Sequence, residues 1–179
     1  MMKRYNLHQI ILLAGCLMGS LLTVQAATIP VTSNADSGPG SLRAAVSMAL
    51  SNGDTNDMIT FDAATNGTPI GLTFAEILIN LGAGETLTIT GNGIGTTVID
   101  GEGAGRIFNI AGGTAVTIEN LTLTGAQNGG GAISNGNGGA VLTATDLNIN
   151  NVDFTGNNAR AGAGIYNNGA TVDVQNSTF

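Results

Sequence analysis

Cysteine and histidine occur once each, as Cys16 and His8, and tryptophan is absent from the 179 residues. Both singletons fall between Met1 and Ala26, a segment that reads as a removable leader, so the chain that follows carries neither thiol nor imidazole. That excludes a disulfide framework and thiolate or imidazole metal sites. Positive charge is almost as scarce. Beyond Ala26 only Arg43, Arg106 and Arg160 stand against twelve carboxylates, a formal charge of -9. A surface of that sign repels phosphate backbones, which are held through lysine and arginine, and no nucleic-acid partner is expected. With few charges, few aromatics and no cross-links, stability has to come from packing and backbone hydrogen bonds.

The single long apolar stretch lies at the start. Lys3 and Arg4 precede a nearly unbroken run from Ile10 to Val24, and Val24-Gln25-Ala26 places small residues at a cleavage site. The run is too short and wrongly flanked for a membrane span, which takes about 20 apolar residues, so no transmembrane helix is expected in the mature chain. Sec-type export with cleavage after Ala26 follows, and with it an extracellular or outer-membrane surface location. Leu13-Ala14-Gly15-Cys16 resembles the lipobox of bacterial lipoproteins, which would instead attach lipid at Cys16. The apolar run continues past Cys16 to Val24, where a lipoprotein usually turns polar, and cleavage after Ala26 accounts for more of it.

Glycine, at 28 residues, is abundant enough for a flexible linker, but the apolar residues between the glycines alternate regularly, which a solvated linker has no reason to do. From Leu87 the alternation repeats. Leu87 and Ile89, Val116 and Ile118, Leu147 and Ile149, and Val172 and Val174 occupy matching places, the second member recurring at a nearly constant interval. Leu123, Phe154 and Phe179 follow in register. A second series, Ile107-Phe108-Asn109, Ile133-Ser134-Asn135 and Ile165-Tyr166-Asn167, runs between them at a similar interval. Such a period suits one coil of short strands and turns, with Ile, Val, Leu and Phe inward and Thr, Asp or Asn outward. Coils stacked about 4.8 Å apart form parallel sheets around one continuous core.

Asparagine marks the strand ends of both series. Asn120, Asn151 and Asn176 follow the first strands, and Asn109, Asn135 and Asn167 close the others, so two coil-to-coil amide ladders are expected. Asparagine also tolerates the left-handed backbone that corners require. Asn66, Asn120 and Asn176 lie in N-x-[ST] sequons, for which the ladder is the preferred reading over glycosylation.

The segment before Met58 differs. Ala27 to Thr32 suits a strand, 36–40 a turn, and Ser41 an N-cap for a helix to about Ser51, with Leu42, Val46, Ala49 and Leu50 on one stripe and Gly53 at its end. Such an element would cover the open end of a solenoid. Three segments are therefore expected: a signal peptide at 1–26, an N-terminal cap at 27–57, and coils at 58–179. The first coil strands fall at Met58 to Phe61, Ile77 to Asn80 and Leu87 to Thr90. The last coil stops at Phe179, right after Ser-Thr-Phe, which reads as a repeat interrupted before its closing glycine.

Asp36-Ser37-Gly38-Pro39-Gly40-Ser41-Leu42-Arg43-Ala44-Ala45-Val46 resembles the CSLREA-type segment that precedes β-helices in large bacterial surface and secreted proteins. Gly130-Gly131-Ala132-Ile133, Gly138-Gly139-Ala140-Val141 and Phe154-Thr155-Gly156-Asn157 resemble the GGA[ILVY] and FxxN repeats of polymorphic outer membrane proteins. The leading Cys is missing, Ala44 replaces Glu, and Ala163 replaces one Gly of the usual GGGIYN. The resemblance implies a right-handed parallel β-helix with a short helix in its cap. It implies a structural or adhesin-like module without catalytic activity, meeting a host-cell, matrix or glycan surface. No catalytic, cofactor-binding or metal-binding residue carries over, and no cofactor is expected.

β-Helices also carry polysaccharide lyases and glycoside hydrolases, which gives the alternative. Hydrolysis needs two carboxylates in partnership, and Asp100 and Glu102 are the nearest pair, flanked by glycines that favour a turn. A lyase needs cations for the substrate carboxylate; Arg43, Arg106 and Arg160 form no matched set, and pairing with nearby carboxylates is their expected use. Asp146, Asp153 and Asp173 offer oxygen ligands for calcium without EF-hand or nonapeptide spacing. The threonines at 86, 88, 90, 122 and 124 offer a flat ice- or sugar-binding face, though threonine is also simply a good exposed strand residue.

Overall fold

The computed structural model describes residues 26–127, 133–135, 145–159, 162–167 and 169–179. Residues 1–25 of the expected signal peptide at 1–26, Cys16 among them, the Gly-rich stretches at 130–132 and 138–141 and Arg160 lie outside these residues.

The chain is a parallel β-solenoid of about four turns with one short helix. Strand β1 (Thr28–Val31) is followed by helix α1 (Leu42–Ala49). The first coil contains β2 (Asn56–Phe61), β3 (Ile70–Gly71) and β4 (Ile77–Asn80), and the second β5 (Thr86–Thr90), β6 (Val98–Asp100) and β7 (Phe108–Gly112). The third is β8 (Ala115–Thr124) with β9 (Ile133–Asn135), the fourth β10 (Asp146–Thr155) with β11 (Ile165–Asn167), and β12 (Val172–Gln175) begins another rung. One sheet runs β1-β2-β5-β8-β10-β12, extended by β6, which pairs onto the far half of β8, and by β3, which pairs with β6; a second runs β11-β9-β7-β4.

Period-two alternation builds the main sheet. Ile29, Ile59, Ile89, Ile118 and Ile149 stand in direct register on successive strands, each at most 5% exposed. Beside them Leu87, Val116 and Leu147 form another inward column. Because a one-residue slip would turn these columns to solvent, burial fixes the register. On β8 and β10, Leu123 stands against Phe154, and the Phe154 ring stacks on Phe179 with centroids 4.7 Å apart. The inward side chain of the next rung, Val174, stays 39% exposed.

At the other end, the Ser41 hydroxyl accepts from the Ala44 N–H and caps α1. The helix buries Leu42, Ala45, Val46 and Ala49 and packs against β1, β2 and β4, with Leu50 only partly covered. Strand β1 is also the first rung of the main sheet, Thr28 pairing with Met58 and Val31 with Phe61. The 27–57 segment is thus cap and coil together, and β2 begins at Asn56, across the expected boundary.

The second series needs a correction. Phe108 stands level with Ile133, and Asn109 with Ser134, so the Ile-x-Asn triplets do not align as written. The inward pair of β7 is Phe108 and Ile110, matched to Ile77 and Ile79 of β4, and this alternation overrides the literal match at Ile107. Asn109 and Asn135 therefore sit one position apart. Asn135 does pair with Asn167, but the Asn167 amide turns locally, donating to the Ala170 carbonyl at 2.8 Å and accepting from its N–H at 3.0 Å. Asn109, Asn135 and Asn167 thus do not line up as one ladder.

Candidate functional site

The outward positions of the main sheet form a continuous face, and the strand register arranges them in columns. Asn56, Thr86, Ala115 and Asp146 make one, and Thr28, Met58, Thr88, Thr117, Asn148 and Asp173 the next. Pro30, Thr60, Thr90, Glu119, Asn150 and Gln175 make the third. Threonine is at home here because its branched side chain packs on a pleated, half-exposed surface. Neighbouring rungs exchange side-chain hydrogen bonds: Thr86 donates to Asn56 at 2.8 Å and Thr90 to Glu119 at 2.9 Å. Met58, 42% exposed, interrupts the polar array. Thr122 belongs elsewhere: it is buried on the second half of β8, its hydroxyl accepting from the Gly95 N–H at 3.0 Å.

A corner bounds this face. Asn120, Asn151 and Asn176 hold φ of 57°, 54° and 52°, the left-handed conformation that bends β8 and β10 into their two halves. The Asn151 amide donates to the Asn120 side-chain oxygen at 2.9 Å, while the Asn176 amide reaches Asn150 at 2.9 Å, one position short of Asn151. Of the other sequon asparagines, Asn66 accepts from the Asn92 amide at 2.7 Å.

Two ion pairs lie near this end of the solenoid, one within the cap and one between the first and second coils. Arg43 on α1 meets Asp36 at 2.8 Å and also donates to the carbonyls of Ala75, at 2.8 Å, and Glu76, at 3.1 Å. The other oxygen of Asp36 accepts from the N–H groups of Thr73 and Phe74 and from the Thr73 hydroxyl. Burial alone would raise the Asp36 carboxyl, but Arg43 and these donors outweigh it and hold it below its ordinary value. Glu76 takes Arg106 on one oxygen and the Asn109 amide on the other, both at 2.6 Å. Here too burial would raise the carboxyl, and Arg106 and Asn109 reverse the direction.

The sign of the pH effect follows. A carboxyl held lower in the folded than in the unfolded chain contributes stability above its unfolded value, about 3.9 for Asp and 4.3 for Glu, and loses it as pH falls through the folded value. The urea midpoint should therefore fall between pH 6 and pH 3, and less steeply in Glu76→Gln. Equal slopes for the two proteins would show that the Glu76 pair adds nothing to acid resistance.

Asp100, Asp153 and Asp173, three of the carboxylates singled out for catalysis or calcium, accept hydrogen bonds from groups of the fold. The Glu102 N–H donates to Asp100 at 2.8 Å and Glu102 adopts φ 50°, so this pair forms a turn. Asp153 accepts from the Thr178 hydroxyl on the next rung, and Asp173 from the Gln175 amide at 2.9 Å. Among the described residues no cluster of three or more His, Cys, Asp or Glu is placed to hold a metal ion, and no helix is long and apolar enough to cross a membrane. An open cleft of about 220 Å³ lies between α1 and β4, lined by Arg43, Val46, Ser47, Leu50, Ile77 and Leu78.

Sequence reasoning anticipated carboxylate partners for the arginines without naming Asp36 or Glu76, the first one helix-cap away from Arg43 and the second a full coil before Arg106. It also passed over Asp57, whose signal was available: Asp57 alternates with Ile59 and Phe61 and so belongs to their inward face. Comparison of the chain with protein-family profiles, with curated proteins and with solved structures finds no match.

Proposed function

We propose that this chain is an exported, right-handed β-solenoid of the CSLREA and polymorphic outer membrane protein type, working as a structural or adhesin-like surface module. The observation that carries this reading is the outward face of the main sheet, where mostly polar side chains, threonine and asparagine foremost, stand in columns across six paired strands. An array held in register by paired strands is suited to meeting another surface over many weak contacts, because its geometry is set before binding and little ordering entropy is lost. The leader pattern at 1–26 and the Ser41-Leu42-Arg43 segment at the helix start support the same reading. The partner fitting it is a host-cell, matrix or glycan surface. A formal charge of -9 after Ala26 disfavours strongly acidic ones.

The alternative is a polysaccharide lyase or glycoside hydrolase, and one assay separates the two. The exported protein is incubated with cultured cells, matrix-coated plates and acidic polysaccharides, and both retention and released sugar are measured. Saturable retention without sugar release is the expected result. Release of reducing ends or unsaturated products, abolished by Asp100→Asn or Glu102→Gln, would establish the enzyme instead.

A further inference from the structure

One inward position of the main sheet carries the wrong chemistry for a core. Asp57 stands in register with Leu87, and the column continues through Val116, Leu147 and Val172, so a carboxylate occupies the place that every later rung gives to an aliphatic side chain. Asp57 is only 4% exposed. A carboxylate taken out of water is costly unless it is hydrogen-bonded and paired with a cation. Its side-chain hydrogen bonds come from two groups that are neutral in the uncut chain, the Asn52 amide at 3.0 Å and the backbone nitrogen of Ala27 at 3.2 Å. Both ion pairs among the described residues use other carboxylates. The mature sequence has no lysine or histidine to supply a charge.

We propose that the missing cation is the α-ammonium group of Ala27, created when the leader is removed after Ala26, and that Asp57 is the site that receives it. The position of the cut rests on the export reading; the receiving site rests on geometry alone. Val24 and Ala26 place the expected cut directly before the nitrogen that touches Asp57. A cut one position away would move the amine by about 3.8 Å along the chain. That nitrogen is held in place, because the Ala27 carbonyl accepts from the Met58 N–H at 2.8 Å and Thr28 pairs with Met58.

The covalent step is a hydrolysis by a signal peptidase acting on the extended, unfolded chain. Water adds across the Ala26–Ala27 peptide bond, the new carboxylate leaves on Ala26, and the amine remains on Ala27. With an ordinary α-amino pKa of about 7.7–8.0, the amine takes up a proton at neutral pH. The nitrogen thereby changes from a neutral donor to a charged one, and charge-assisted hydrogen bonds are about twice as strong as neutral ones. Processing then fastens β1, the edge strand of the main sheet, against β2.

The test uses the full chain exported with its own leader from a bacterial host. Intact mass gives the mature N-terminus, and thermal unfolding compares this protein with one carrying Gly-Ser inserted after Ala26, which moves the amine away from Asp57. Expected are a wild-type start at Ala27, a midpoint lower by about 5 °C in the insertion protein, and no such difference when both carry Asp57→Asn. The wild-type and insertion pair decides the question even where Asp57→Asn folds poorly, since neither alters the core. A wild-type start at another residue overturns the proposal together with the position of the cut. A start at Ala27 with equal midpoints overturns the ion pair and leaves the export reading standing.

Discussion

Replacing Ile118 by alanine should destabilise the solenoid by about 4 kcal/mol, within the range for emptying a fully buried aliphatic site. Ile118 has no exposed surface and stands directly between Ile89 and Ile149 in the middle of the isoleucine column. Neither neighbour can move into the void without giving up its own place in the stack, so relaxation is limited and the cavity cost remains. Urea unfolding measures the loss directly, and thermal unfolding should show a midpoint lower by about 10 °C for a domain of this size. Val174 provides the internal comparison. It holds the same column on β12 but is 39% exposed, so Val174→Ala should cost less than about 1 kcal/mol. Similar losses at both positions would mean that the column does not act as a packed core.

The second large effect is expected at Gly91, which follows β5 where the neighbouring rung turns its corner. The Gly91 N–H donates to the Glu119 carbonyl at 2.9 Å, so the two rungs are bonded at this point. A Cβ on Gly91 would run into the Asn120 carbonyl oxygen and come within 2.7 Å of the Leu121 Cβ. The obstacle is chiefly backbone, which cannot swing aside as a long side chain would. Gly91→Ala should therefore force β5 and β8 apart locally and cost about 3 kcal/mol. Amide exchange should rise at Glu119 to Leu121 and stay near wild type in β1. Unchanged protection at the corner would show that the rungs accommodate the methyl group.

How far these features could be read from sequence depends on the range over which each is determined. The isoleucine column was legible because alternation is local and recurs: Ile89, Ile118 and Ile149 identify themselves by repetition, and the sheet places them in register. Helix α1 was legible from the Ser41 cap and the spacing of Leu42, Val46 and Ala49, which the structure extends with Ala45. The second series went astray because Ile107, Ile133 and Ile165 were matched by identity. The register of β7 is set instead by Phe108 and Ile110 packing against Ile77 and Ile79, a contact with the preceding coil that no local pattern announces. The pairs Arg43 with Asp36 and Arg106 with Glu76 were anticipated in kind but not in partner, since folding rather than spacing brings them together. Asp57 was hidden by starting its strand at Met58; begun at Asn56, the same alternation turns the carboxylate inward.

The stacking also has a consequence in time. Each rung of the main sheet finds its partner in the coil immediately before it, so no pairing waits for a distant segment. Strand β1 and helix α1 come first and lie at one end of the stack. A chain that emerges N-terminus first, as in synthesis, can thus assemble vectorially, each completed rung acting as the template on which the next is cast.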